Sequence, residues 1–319
     1  TCSGDRTVRV WDLDDAGNWI LSSTASEWQA HRGSVTKLSW AHPEFGQLLA
    51  TCGSDHAATI WEERTGGGGF ATESSQQWQS SQPPPGRHQG GNVNNARWAN
   101  KANLTDARKA VSCVEFAPRH LGLKIATGSA DGLVRIYEAI DVMNLNQWPM
   151  NGSIEVDSSD LGVTSLSWCH GRFCAPTIVV GGSSGVVSVY RYSDASRVWK
   201  NIVKLPGHTR GVLDVAWCPN VGRSYHLIAS AGKDRALRLH RLKRCLDAER
   251  KKDASSLELE SSQVLDTGVA EVWRCAWNVT GTVLASSGDA GIVQLFKSDF
   301  RNQWKCVSEV HGDVEDHHQ

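Results

Sequence analysis

Apolar and polar residues alternate along 34–40 (Ser-Val-Thr-Lys-Leu-Ser-Trp), and the stretch closes on an aromatic. Period-two alternation puts alternate side chains on opposite faces of a strand, so this segment reads as a strand with one buried face. A run of small and apolar residues follows, Leu48-Leu49-Ala50-Thr51-Cys52-Gly53. Then come an Asp-containing turn at Asp55 and a second alternating stretch, Ala58-Thr59-Ile60-Trp61-Glu62. The same order recurs over 124–138 and again over 283–296. Small residues suit a strand pinched between two neighbouring sheets. Asp131-Gly132 supplies the positive φ that a tight hairpin needs.

Such self-similarity settles the fold before any single residue does. Trp11, Trp61, Tyr137, Tyr190, His240 and Phe296 fall at one equivalent position. Their spacing is roughly 50–75 residues against the ~40–45 of a standard WD repeat, so the excess lies in loops. The pattern predicts an all-β propeller of WD-type blades. First strands are expected at 34–40, 110–116, 163–168, 212–217 and 272–277, giving five complete repeats. A sixth is cut. The sequence opens at Thr1-Cys2-Ser3-Gly4-Asp5, already inside a second strand, with Val8-Arg9-Val10-Trp11-Asp12 as the third. There is no initiator Met, so the natural N-terminus is expected upstream. One more strand is expected at 304–307, followed by a polar tail over 312–319. Propellers close with about four to eight blades. Six blades can close alone or leave an open ring with a wedge-shaped gap.

Composition narrows the picture. Regular repeats over 319 residues make one domain, 1–319. A net charge of −1 gives no global field toward nucleic acid or a membrane surface. No run approaches the ~20 apolar residues of a membrane span. Nine cysteines without a CxxC pair fit a reducing compartment. The 65–95 insert, rich in Gly, Ser, Gln and Pro, is expected to be a mobile loop. The charged stretch 241–256 is expected to be a solvated loop or short helix, or else a docking site for an acidic partner or an import signal.

Candidate chemistry is sparse. His31, Asp55 and Trp61 fit the hydrogen-bonded set of a WD blade. His208 and Asp234 repeat it with His240 in the place of Trp. These are structural readings. Gly181-Gly182-Ser183-Ser184-Gly185 matches a GxSxG nucleophile elbow, but a strand follows where the elbow needs a helix. Gly66 to Gly69 lacks the Lys-Ser/Thr of a phosphate loop. Cys169-His170 with Cys174 has no second pair to complete a zinc site. No catalytic, cofactor or metal site is therefore expected. A self-closed propeller reading peptides through its channel would use top-face loops, where Trp273-Arg274 is the suggestive pair.

Longer stretches carry a resemblance. Residues 116–139, running on through Asp141-Val142-Met143-Asn144-Leu145-Asn146-Gln147-Trp148, closely resemble the Seh nucleoporins. So do Trp40-Ala41-His42-Pro43-Glu44-Phe45-Gly46-Gln47, Val272-Trp273-Arg274 and residues 277–289. The likeness weakens over the repeats that begin at 163 and 212 and is absent from 65–95. It implies a six-bladed open propeller serving as a non-catalytic scaffold without cofactor. A helical-solenoid nucleoporin would insert a β-blade as the seventh. The assemblies implied are the Y-shaped coat of the nuclear pore and the GATOR complex of TOR signalling. Localisation would be the nuclear envelope, with the lysosomal surface through GATOR and the kinetochore as further places. Membrane contact would be indirect, and no direct nucleic-acid binding is expected. The Sec-thirteen subunit of COPII vesicle coats is the neighbouring alternative. An open ring exposes strand edges that invite pairing by another chain. Val8, Val10, Val293 and Leu295 are the candidate residues flanking the gap.

Overall fold

The computed structural model describes residues 1–22, 27–64, 98–156, 162–172, 174–244, 257–268 and 270–311. The expected 65–95 loop, most of the charged segment and the polar tail lie outside them. Five four-stranded antiparallel sheets are present among the described residues. The first combines β5 (Val35–Trp40), β6 (Leu48–Gly53), β7 (Ala58–Glu63) and β8 (Trp98–Leu104). The second combines β9 (Val111–Phe116), β10 (Lys124–Ser129), β11 (Leu133–Glu138) and β12 (Met150–Glu155). The third holds β13 (Val163–Trp168), β14 (Thr177–Gly182), β15 (Val187–Ser193) and β16 (Val198–Leu205). The fourth holds β17 (Val212–Trp217), β18 (Tyr225–Gly232), β19 (Leu237–Arg244) and β20 (Leu257–Leu265). The fifth holds β21 (Val272–Trp277), β22 (Val283–Gly288), β23 (Ile292–Ser298) and β24 (Trp304–His311). Strand order follows chain order in each sheet, and each first strand packs against the first strand of the next sheet. That is a propeller. Arg241, Lys243 and Arg244 are strand residues of β19 and not loop.

The sequence predicts six blades, one of them cut; the described residues form five four-stranded blades. The N-terminal segment forms two two-stranded ribbons instead of a sixth sheet. β1 (Thr7–Arg9) pairs with β4 (Glu27–Gln29), and β2 (Trp11–Leu13) pairs with β3 (Trp19–Leu21). The break falls at Val10, whose carbonyl accepts from the Ser22 N–H at 3.1 Å. Only a lone bridge, Cys2 to Val8, lies on the inner side of β1. Without a full second strand to pair with, the ladder does not extend to four strands.

The inner strand of every blade carries a register shift near its start. The residue left out of the ladder is Thr36, Ser112, Thr164, Leu213 or Trp273. A bulge re-aims its side chain. Thr36 Oγ1 donates to the Val111 carbonyl of the next blade at 2.9 Å, and Ser112 Oγ to the Val163 carbonyl at 2.6 Å. Each hydroxyl thus ties its blade to the following one. In the last blade the same position holds Trp273, which is exposed and donates to Asp289.

Among the described residues, five apolar cores fill the spaces between sheets. One packs the N-terminal ribbons on the first blade through Val8, Val35, Leu49, Trp61 and Trp98. The others join the first blade to the second, the second to the third, the third to the fourth and the fourth to the fifth. Among the described residues, no such core joins the fifth blade to the N-terminal ribbons. β6 and β14 are buried along their whole length, but in β22 only Leu284 and Ser286 are.

Candidate functional site

The repeat histidines anchor the blade turns. In the first blade His31 Nδ1 meets Asp55 Oδ1 at 3.0 Å, and its Nε2 meets Thr51 Oγ1 at 2.8 Å. Trp61 Nε1 donates to the same Thr51 hydroxyl at 3.0 Å. Burial acts against the Asp55 charge. The Arg32 backbone N–H and the His31 ring outweigh it and hold the carboxyl below its ordinary value. The fourth blade repeats the set. His208 Nδ1 lies 2.7 Å from Asp234, and its Nε2 lies 2.9 Å from Ser230 Oγ. His240 completes it in place of a tryptophan. The structure therefore brings His31, Asp55 and Trp61 together, and likewise His208 and Asp234. The hydroxyls of Thr51 and Ser230 at the centre were missed. Their signal is a hydroxyl residue at one fixed place in the second strand. The second blade uses different chemistry: Arg135 bridges Asp131 at 2.8 Å, Ser129 also donates to Asp131, and Tyr137 donates to Asp106 at 3.0 Å.

A polar cluster, also missed in the sequence, lines the inner strands. Lys37 Nζ lies 3.5 Å from Asp214, and Ser165 Oγ donates to Asp214 at 2.7 Å. Arg274 approaches Asp214 at 3.9 Å and donates to the Thr36 carbonyl at 3.4 Å. Burial disfavours the Lys37 charge, but Asp214 and Glu115 more than offset that and raise its pKa. Burial pushes Glu115 up to about 7, against the pull of Lys37. Trp273-Arg274 thus divides between a surface indole and a guanidinium in this cluster.

The chemical motifs resolve into structure. The GxSxG stretch is the β14–β15 hairpin, closed by Gly182 N–H to the Val186 carbonyl at 3.0 Å. Gly185 takes φ 87°, and a Cβ there would lie 2.3 Å from the His208 carbonyl oxygen, so only glycine fits. Among the described residues no three His, Cys, Asp or Glu side chains converge as metal ligands.

The flanks of the last blade and of the N-terminal ribbons carry exposed apolar groups. Val293 pairs with Ser287 and Val310, and Leu295 with Ala285 and Ser308. Strand alternation puts these side chains on the face of the last blade opposite Phe296, Leu284 and Gln294. Leu284 and Phe296 are buried against the fourth blade, so the Val293 face points away from it. Val293 is 39% exposed and Val310 52%. At the other end Val8 is turned inward: it is 1% exposed and packs in the first-blade core. Val10 is half-buried and lines an open apolar hollow with Trp11, Trp19 and Trp40.

This architecture defines a WD-repeat β-propeller, and the family described as WD domain, G-beta repeat matches residues 22–62, 98–138 and 199–241. Nucleoporin SEH1-A of Xenopus laevis is 39% identical over 98% of this chain and 82% of its own length. Nucleoporin SEH1 of Danio rerio is 40% identical and that of Homo sapiens 39%, each over 98% of this chain and 81% of its own length. The chain belongs to the SEH1 nucleoporin family.

Proposed function

We propose that this chain is a non-catalytic scaffold subunit of the nuclear pore coat, residing at the nuclear envelope, and that it accepts a β-element from a helical-solenoid nucleoporin. The family supports the first part. The observation that carries the second is the one-sided packing of the last blade. Its second strand is half-uncovered, where the second strand of every other blade is buried almost throughout. Unpaired edges and uncovered apolar faces recruit added strands. An inserted blade would cover Val293, Leu295 and Val310 of the last blade, whereas Val10, expected beside the gap, packs with Val8 toward the first blade. Such a contact falls in the range above ~1,000 Å² that specific interfaces require. The same face would serve in a GATOR assembly at the lysosomal surface.

The test is affinity purification from cells with the full-length chain as bait, read by mass spectrometry. Stoichiometric solenoid nucleoporins, lost on Val293→Asp with Leu295→Asp, are the expected result. Recovery of vesicle-coat subunits instead would move the chain to the Sec-thirteen role. A monomer with no large partner would overturn the scaffold reading.

A further inference from the structure

The β13–β14 hairpin of the third blade carries a second, unrelated arrangement. Its loop holds Cys169 and Cys174, and the Cys174 N–H donates to the Gly171 carbonyl at 3.1 Å. That turn folds both sulfurs over Gly171. A Cβ on residue 171 would lie 2.9 Å from Cys174 Sγ and 3.5 Å from Cys169 Sγ, so a side chain there would displace the pair. The fourth blade supplies the rest. His226 of β18, itself buried, sets Nε2 3.8 Å from Cys174 Sγ and Nδ1 4.0 Å from Cys169 Sγ. Arg244, at the end of β19, donates from Nη2 to Cys174 Sγ at 3.3 Å. The sulfurs face opposite nitrogens of one imidazole. One metal ion held by both thiolates and a single ring nitrogen does not fit that geometry, whereas a thiolate with a neighbouring thiol does.

We propose that Cys174 is a peroxide-reactive thiolate and Cys169 its resolving thiol, the two closing to a disulfide within this hairpin. A guanidinium and an imidazole beside a half-exposed sulfur make the environment in which a cysteine reacts as thiolate. The proximity of the two sulfurs pulls the Cys174 pKa down and pushes that of Cys169 up. In the first step the Cys174 thiolate attacks a hydroperoxide. The S–O bond forms, the O–O bond breaks, and the sulfur loses two electrons to give a sulfenic acid. The leaving hydroxide takes a proton and departs as water. In the second step Cys169 gives its proton to His226 and attacks the Cys174 sulfur. The S–S bond forms, the S–O bond breaks, and hydroxide leaves with that proton as a second water. Two thiols and one hydrogen peroxide yield one disulfide and two waters, and a dithiol reverses the change by exchange.

The full chain tests this with Cys306, which is exposed, as internal comparator. At pH 6.5 iodoacetamide is expected to label Cys174 about tenfold faster than Cys306. Arg244→Gln should reduce that ratio with no change in circular dichroism. Limiting hydrogen peroxide should then give a tryptic species in which Cys169 and Cys174 remain joined across the cut at Arg172, released by dithiothreitol. Cys169→Ser should leave a sulfenic acid that dimedone traps at Cys174. Labelling of Cys174 no faster than Cys306 overturns the thiolate. Oxidation of Cys174 without a joined peptide overturns the resolving role of Cys169.

Discussion

His240 presents Nε2 to Ser230 Oγ at 3.2 Å, the place that the Trp61 indole takes on Thr51 Oγ1 in the first blade. The imidazole does what the indole does and adds a second contact, between Nδ1 and Ser262 Oγ at 3.1 Å. The substitution brings a titratable group into a fully buried place. Burial pushes its pKa down to about 3. The unfolded chain takes up this proton near the ordinary histidine value, while the folded chain stays neutral. Stability from this site is therefore complete at neutral pH and is lost as pH falls from 6.5 toward 3. Between pH 7.5 and 5 the wild type should lose about 2 kcal/mol more than His240→Gln. Urea midpoints at the two pH values measure this, and parallel curves for both proteins would refute it.

Glu115 carries the opposite sign. Its pKa is raised to about 7, so the folded chain holds a proton over a range where the unfolded chain has released it. Its contribution is full below pH 4.5 and disappears as pH rises through 7. Glu115→Gln keeps an acceptor for the Ser167 hydroxyl and the Trp168 N–H. Relative to that variant, the wild type should lose a few kcal/mol, on the order of 2–3, between pH 4.5 and 7.5. A difference independent of pH would show that Glu115 is not buried as described.

Thr51 bonds two buried groups through one hydroxyl. Thr51→Val removes it and strands both His31 Nε2 and Trp61 Nε1. An orphaned buried donor costs about 1–3 kcal/mol, so this variant should lose about 2–4 kcal/mol at pH 7. Thr51→Ser keeps the hydroxyl, as Ser230 does in the fourth blade, and should lose less than half as much. Equal losses would assign the effect to the methyl group.

Much of this was legible because each blade repeats its own grammar. The expected first strands at 163–168, 212–217 and 272–277 match β13, β17 and β21 at both ends. The histidine–aspartate anchors were legible for the same reason. The N-terminal segment was not: alternation runs unbroken through Val8, Arg9 and Val10, while the pairing register changes from Arg9 opposite Glu27 to Trp11 opposite Leu21. Nor was the meeting of Cys174 with His226 and Arg244, since adjacency between blades leaves no period in the sequence. Periodicity reports which face a residue takes, not what stands opposite.

Val8 and Leu295 were paired by sequence, and the structure separates them. Val8→Asp places a carboxylate in the core shared with Leu49, Trp61 and Trp98. It should cost about 3–5 kcal/mol. Leu295→Asp alters a half-covered face and should cost under about 1 kcal/mol. Thermal melts of the two variants decide, and equal costs would mean that Leu295 is as enclosed as Val8.

The apolar cores run in single file, from the ribbons through five blades, and each is shared by two neighbours only. A row has ends, and its terminal member is held from one side. The amide protons of β22 should therefore exchange with solvent well before those of β6, β10, β14 and β18, although all five strands share one position in their sheets. Any chain that fits against Val293 and Leu295 would slow that exchange without touching the strand's own hydrogen bonds. The flank of the last blade is in this sense a gauge: its exchange rate reads out whether the propeller stands alone or in company.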